Sequence, residues 1–331
     1  MIAAASRRLA ALALVVAFGW PAGAPAQPPA PAAPTAPAPG TAFRAPLAAK
    51  APMLDIVRAG KRLVAVGDWG TVVLSDDDGR TWRQAASVAT RSMLTSAAFV
   101  DEKRGFAVGH GGVVLETKDG GETWTRNHDA GADVVLLTVW FAGPDHGIAA
   151  GAFGFAMATH DGGRTWRAFP VGEGDDHDRH LNAIFSVPGG PIYVAAEAGT
   201  IFRSTDDGRT WTTLHPPYDG SLWGGMPLRD GGVLVWGMRG HVLRSVDQGK
   251  SWIDVPTGTD QSWTDGVELA DGKIVLVGLG GAVATSADGG RSFRTTIRPE
   301  RQTLSAVAVG PPGQLVVAGS TGIATHSIAA P

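Results

Sequence analysis

One stretch, GDWGTVVLSDDDGRTW at residues 67–82, returns with variation almost to the end of the chain and restricts the fold more than any other feature. Aligning its first four residues gives GDWG at Gly67, GHGG at Gly109, GAFG at Gly151, AEAG at Ala196, GMRG at Gly237, GLGG at Gly278 and GSTG at Gly319. The starts are separated by 42, 42, 45, 41, 41 and 41 residues. That period is the one expected of four-stranded propeller blades. A chain of 331 residues exceeds the usual size of a single core, but repeats that pack mainly on their neighbours escape the limit.

The two halves of the stretch have different physical roles. The first is a short glycine-bounded connection between apolar runs, which is a hairpin signal. The second, S-x-D-x-G-x-T-W, is the Asp-box pattern. A short polar side chain can accept bonds from turn amides, and the following glycine tolerates positive φ. A Trp then anchors the next strand through its large apolar area and its indole N–H. Six copies carry this second half: Asp77 with Trp82, Asp119 with Trp124, Asp161 with Trp166, Asp206 with Trp211, Asp247 with Trp252, and Asp288 with Phe293. Six equivalent carboxylates around a ring make turns rather than one converging site, and their spacing supplies no EF-hand loop. They are assigned structural roles.

In the first period the pattern predicts strands over residues 54–59, 63–66, 71–74 and 81–85. Runs such as IVLV at 274–277 and LVVA at 315–318 are apolar without alternation, which implies burial on both sheet faces. The fold class is therefore all-β, a seven-bladed β-propeller of four-stranded antiparallel blades. The seventh repeat has no room for a turn and fourth strand, while residues 41–51 precede the first blade unassigned. An N-terminal strand from 41–51 is expected to complete the last blade and close the ring. The 46 glycines and 22 prolines agree with many short strands and tight turns.

Residues 1–26 read as a signal peptide: Arg7 and Arg8, an apolar run at 9–20, then Ala24-Pro25-Ala26. The run is shorter than a bilayer span of roughly 20 residues. Residues 27–40 are almost entirely Pro and Ala and read as a linker, leaving 41–331 as the propeller. A periplasmic or secreted location follows as the expectation. The chain has no cysteine, hence no disulfide or thiolate chemistry. Without Arg7 and Arg8 the balance is 26 basic to 31 acidic residues, unlike a general nucleic-acid binder.

Regular Asp boxes in six consecutive blades, following an export signal, resemble the photosystem II stability and assembly-factor propellers and their non-photosynthetic bacterial relatives. The resemblance covers about residues 41–328, as judged by the repeat period. It implies a seven-bladed, non-enzymatic scaffold without cofactor that binds a membrane protein or helps to assemble an envelope complex. In bacteria without photosystems it implies association with transporters of the resistance-nodulation-division type.

Antiparallel order places the Asp boxes on one face of the disc, and the GxxG connections and inter-blade loops on the other. The second face varies from blade to blade, with Asp68, Trp69, His110, Phe153, Glu197 and Arg239 in its connections. Variation at equivalent positions is where recognition can be grafted onto a scaffold. Arg91, Arg179 and Arg301 precede innermost strands on the same face and resemble the arginine patch implicated in partner binding in the assembly factors. The loop GEGDDHDRH at 172–180 gathers Asp175, Asp176, His177, Asp178 and His180, a set of oxygen and imidazole donors suited to a divalent metal or, without one, to a hydrated acidic loop. The competing function is a carbohydrate-binding or sialidase-like glycosidase propeller. A retaining sialidase needs a tyrosine nucleophile and an arginine triad; only Tyr193 and Tyr218 exist, and no Arg-Ile-Pro segment opens the domain.

Overall fold

The computed structural model describes residues 40–328; the expected signal peptide and the expected linker up to residue 39 lie outside the described residues. Strands Met53–Ala59, Arg62–Gly67, Val72–Ser75 and Arg83–Gln84 pair in chain order as one antiparallel sheet. The same meander restarts at Leu94, Leu136, Leu181, Leu222 and Trp263. In the second blade, Ser87–Val88 adds a short parallel strand beside Thr123–Asp129. A seventh sheet contains Leu304–Val309, Gln314–Gly319 and Gly322–Ser327.

Seven sheets thus stand where the sequence periods place them. The first strand of each lies against the first strand of the next, and Met53–Ala59 lies against Leu304–Val309, so the ring is closed. Second strands are buried along their length, Ile274–Gly278 completely, because neighbouring blades cover both faces of each sheet. The inner wall is stitched between blades by side chains on the first strands. Asp55 accepts the Ala97 N–H at 2.9 Å, and Asp265 accepts that of Val307 at 2.8 Å. The Thr95 and Thr264 hydroxyls each donate to the next blade, to the Leu136 and Leu304 carbonyls, both at 2.8 Å.

The closing strand expected from residues 41–51 is corrected: among the described residues the seventh blade has three strands. Residues 48–50 form a 3-10 turn instead, and the segment before them crosses the outer edges of the first two blades. The Ala42 N–H donates to the Val88 carbonyl at 2.9 Å, and the Gln84 side chain brackets the segment by accepting from the Ala45 N–H at 2.9 Å and donating to the Phe43 carbonyl at 2.6 Å. Pro46 has no N–H for a ladder. The two buried alanines enter separate clusters, Ala42 with Val88 and Ala48 with Ile323 of the seventh blade. The segment therefore links the first and last blades by packing rather than by strand addition.

Candidate binding face

On one face of the disc the six Asp turns consume their own polar groups. The Ser75 hydroxyl donates to Asp77 at 2.8 Å and accepts the Gly79 N–H at 2.8 Å. Asp77 also accepts the Thr81 N–H at 2.9 Å and the Thr81 hydroxyl at 2.6 Å. The Trp82 indole closes the turn on the Gly79 carbonyl at 3.1 Å. The carboxylate set repeats at Asp119, Asp161, Asp206, Asp247 and Asp288. Bonds from the Thr81, Thr165, Thr210 and Ser251 side chains hold Asp77, Asp161, Asp206 and Asp247 at about 2. At Asp288 burial pushes upward, but the bonds from Ser292 and Ser286 outweigh it, again giving about 2. Arginines of the preceding blades reach over these turns: Arg62 donates to the Gly120 carbonyl at 3.0 Å, Arg244 to that of Gly289 at 2.8 Å, and Arg104 to that of Gly162.

The opposite face presents its groups outward. In the GxxG connections the third residue is left-handed: Trp69 has φ 55°, Phe153 55°, Ala198 53° and Arg239 54°. A bulky residue there costs about 1–2 kcal/mol relative to a right-handed conformation. It also lifts the side chain off the rim, leaving Trp69 64 % and Phe153 75 % exposed. The flanking glycines are dictated by close approach. A Cβ on Gly151 would meet the Val135 carbonyl, at the entry to the first strand of its own blade, and one on Gly154 the His177 carbonyl, in the loop entering the next blade. Asp68 accepts the Trp69 N–H at 2.8 Å, and His110 forms an isolated bridge with Val135. Arg239 is exposed.

One cleft of about 500 Å³ opens on this face, lined by Phe153, Asp178, Arg179, His180, Glu197 and Asp219 among others. The Phe153 ring meets His180 edge-on at 4.9 Å. The His180 N–H donates to Glu197 at 3.4 Å, and Arg179 donates to Asp176 at 3.3 Å. Phe153 from the third blade, Glu197 from the fourth and the loop between them are thus brought together. Asp219 and Ser221, which also line the cleft, escaped the sequence reading. They occupy the connection into the fifth blade, as Arg179 occupies that into the fourth, so aligning the inter-blade connections would have found them.

The three arginines stand at three separate connections. Arg91 is held by the N-terminal segment, donating to the Thr41 carbonyl at 2.8 Å with its guanidinium 4.0 Å above the Phe43 ring. Arg301 is exposed, and Arg179 lines the cleft. In the 172–180 loop, Gly174–Asp176 forms a 3-10 turn, and His177 Nδ1 lies 2.7 Å from the Gly174 carbonyl. Asp176 faces Arg179 and His215, while Asp175, His177 and Asp178 are exposed. Among the described residues no three His, Asp or Glu side chains are arranged to hold a metal. Tyr193 is buried and stacked on Phe185 at 5.4 Å; Tyr218 donates to the Met238 carbonyl at 2.9 Å. Burial pushes both phenols above their ordinary value, the wrong direction for a nucleophile.

Residues 127–227 match the family model of the photosystem II assembly factor YCF48. No curated protein matches the chain. Among solved structures, YCF48 bound to a D1 peptide is similar, with a TM-score of 0.68 and 19 % identity over 85 % of this chain and 94 % of that one. YCF48 from Cyanidioschyzon merolae gives 0.67 at 17 % identity, covering 88 % and 97 %. Virginiamycin B lyase from Staphylococcus aureus gives 0.70 at 9 %, covering 83 % and 94 %, so the ring is shared with an enzyme and the likeness conveys fold alone. The match over residues 127–227 adds sequence to that likeness, and the chain is a YCF48-like seven-bladed β-propeller.

Proposed function

We propose that the chain is an exported, non-catalytic scaffold that captures a loop or tail of a membrane protein or envelope complex on its varied face, a transporter of the resistance-nodulation-division type being the candidate partner. The observation that carries this reading is the cleft beside Phe153. It combines a raised aromatic side chain, one guanidinium and the carboxylates of Asp178, Glu197 and Asp219 on a rigid rim. An aromatic anchor ringed by polar groups suits a peptide segment. That a YCF48 propeller has been solved with a D1 peptide supports peptide capture as the activity of this type of ring. Export rests on the leader sequence. No observation favours the sugar-processing alternative, and the burial of Tyr193 together with the Tyr218 bond to the Met238 carbonyl supports binding over catalysis.

The test is affinity capture from detergent-solubilised envelope membranes, using the full chain and a Phe153→Ser/Arg179→Glu variant, with bound proteins identified by mass spectrometry. The expected result is a membrane-protein partner retained by the wild type and lost by the variant, without a fall in melting temperature. Equal capture by both proteins overturns the assignment of this face.

A further inference from the structure

The seams between blades are closed by aromatic residues at six of seven places. Trp82 sits in the cluster shared by blades seven and one, Trp124 in that of one and two, and Trp166 in that of two and three. Trp211, Trp252 and Phe293 do the same at the following three seams. The cluster between blades six and seven holds Val275, Val283, Leu315 and Val317, with Ile328 beside them, and no aromatic side chain. Among the described residues the seventh sheet has three strands, with no Asp turn and fourth strand to deliver one. A groove of about 700 Å³ lies there, lined by Val275, Val283, Thr285, Leu315, His326 and Ile328 among others.

The strand next to this groove is open. Gly322–Ser327 pairs with Gln314–Gly319 on one side, and among the described residues no strand pairs with its other side. The consequence is visible in burial. The residue opposite the middle of the second strand is buried in every other blade, as Val73, Leu115, Met157, Phe202, Leu243 and Ala284, whereas its counterpart Ala324 is exposed. Unpaired N–H and C=O groups beside an apolar slot are the two requirements of recognition by strand addition, main-chain bonds giving affinity and the pocket giving specificity.

We infer that the groove between blades six and seven is a second binding site, which takes an extended segment of another protein as the missing fourth strand, with an aromatic side chain seated where the other six seams hold theirs. The ring itself specifies this occupant, because it solves the same packing problem six times with Trp or Phe. Charge adds a second criterion. Lys273 and Arg294 line the groove and no carboxylate does, which favours a segment carrying acidic residues. The chain's own residues 28–39 are unsuited, since six prolines among them cannot donate to a ladder. The site lies on the flank of the disc, apart from the Phe153 cleft in blades three to five, and does not depend on it.

A fluorescently labelled peptide copying residues 119–129, DGGETWTRNHD, carries the turn and fourth strand of blade two and is net acidic. Titrated with the full chain, it should bind saturably by anisotropy. The same peptide with Trp124→Ala should bind about tenfold more weakly or worse, because the seam-filling side chain is gone. A Thr285→Trp protein, in which an exposed side chain is enlarged to occupy the groove, should lose peptide binding while keeping its melting temperature. Absence of binding to the wild type, equal binding of the Trp124→Ala peptide, or unaltered binding to the Thr285→Trp protein would each overturn the inference. So would light scattering showing that the wild type forms a dimer which the peptide dissociates, since the edge would then belong to a second copy.

Discussion

The two faces of the disc use the same repeat in opposite ways. On the Asp-turn face each polar group is consumed locally: Asp77 accepts from Ser75 and Thr81, and arginines from one blade cap the turn of the next. On the other face the chain holds Trp69, Phe153 and Arg239 in left-handed conformations and leaves them exposed. One face stabilises the ring, and the other spends stability on presentation. The lesson is that invariance and variation between blades separate folding from recognition more cleanly than residue type does. Trp124 and Trp69 are the same amino acid, 1 % and 64 % exposed respectively.

The largest effect that tests this division is Trp124→Ala. It should cost about 3–5 kcal/mol and lower the denaturation midpoint. Trp69→Ala should leave the midpoint within about 0.5 kcal/mol, as for exposed sites generally. A comparable loss at both positions would break the comparison.

Acid should act next, and only through the first face. Carboxylates near 2 when folded, against an ordinary value near 4, stabilise the ring fully above pH about 4, and the contribution is lost as pH falls towards about 2. Melting temperature measured from pH 6 to 2 should therefore drop mainly in that window, and an Asp77→Asn variant should show a shallower drop. Asp265, on the inner wall, has the opposite sign. Burial, and to a smaller extent the Asp55 charge, pushes it up to about 7. The folded protein keeps a proton that the unfolded chain has released, so this contribution falls as pH rises from about 4 to 7. Asp265→Asn should raise the melting temperature at pH 8 and leave it unchanged at pH 4.

The smallest effect is the most discriminating. Phe153→Gly relieves a left-handed phenylalanine and should raise stability by about 1 kcal/mol in a urea titration, while abolishing partner capture. A destabilised Phe153→Gly would show that the ring, rather than the partner, needs the side chain.

The blade count, the sheet class and the two-sided burial of strands such as Ile274–Gly278 were legible because they repeat, and each copy corrects the reading of the others. The path of residues 41–51 was not. Its partners, Val88 and the Gln84 side chain, lie some 40 positions away and leave no local pattern. The site was half legible. Phe153, Arg179 and Glu197 stood out as departures from a consensus, but that they share a cleft with Asp219 depends on which blades are neighbours. The left-handed geometry of Trp69 and Phe153 had a signal in Gly111 and Gly280, glycines at the same position of sister connections.

The closed ring also has a kinetic consequence. Six seams join blades that are consecutive in the chain, so each can form once two neighbouring repeats exist. The seventh joins Met53–Ala59 to Leu304–Val309, where the Arg58 guanidinium donates to the Val309 carbonyl at 2.7 Å across 251 residues. Loop closure over that distance is the entropically costliest and slowest contact in the molecule. It cannot begin until nearly the whole chain has been made. Until then the nascent protein is an open arc whose two end blades expose apolar strands, so any factor that guards this protein during its synthesis has those two edges to cover, and its work ends when they meet.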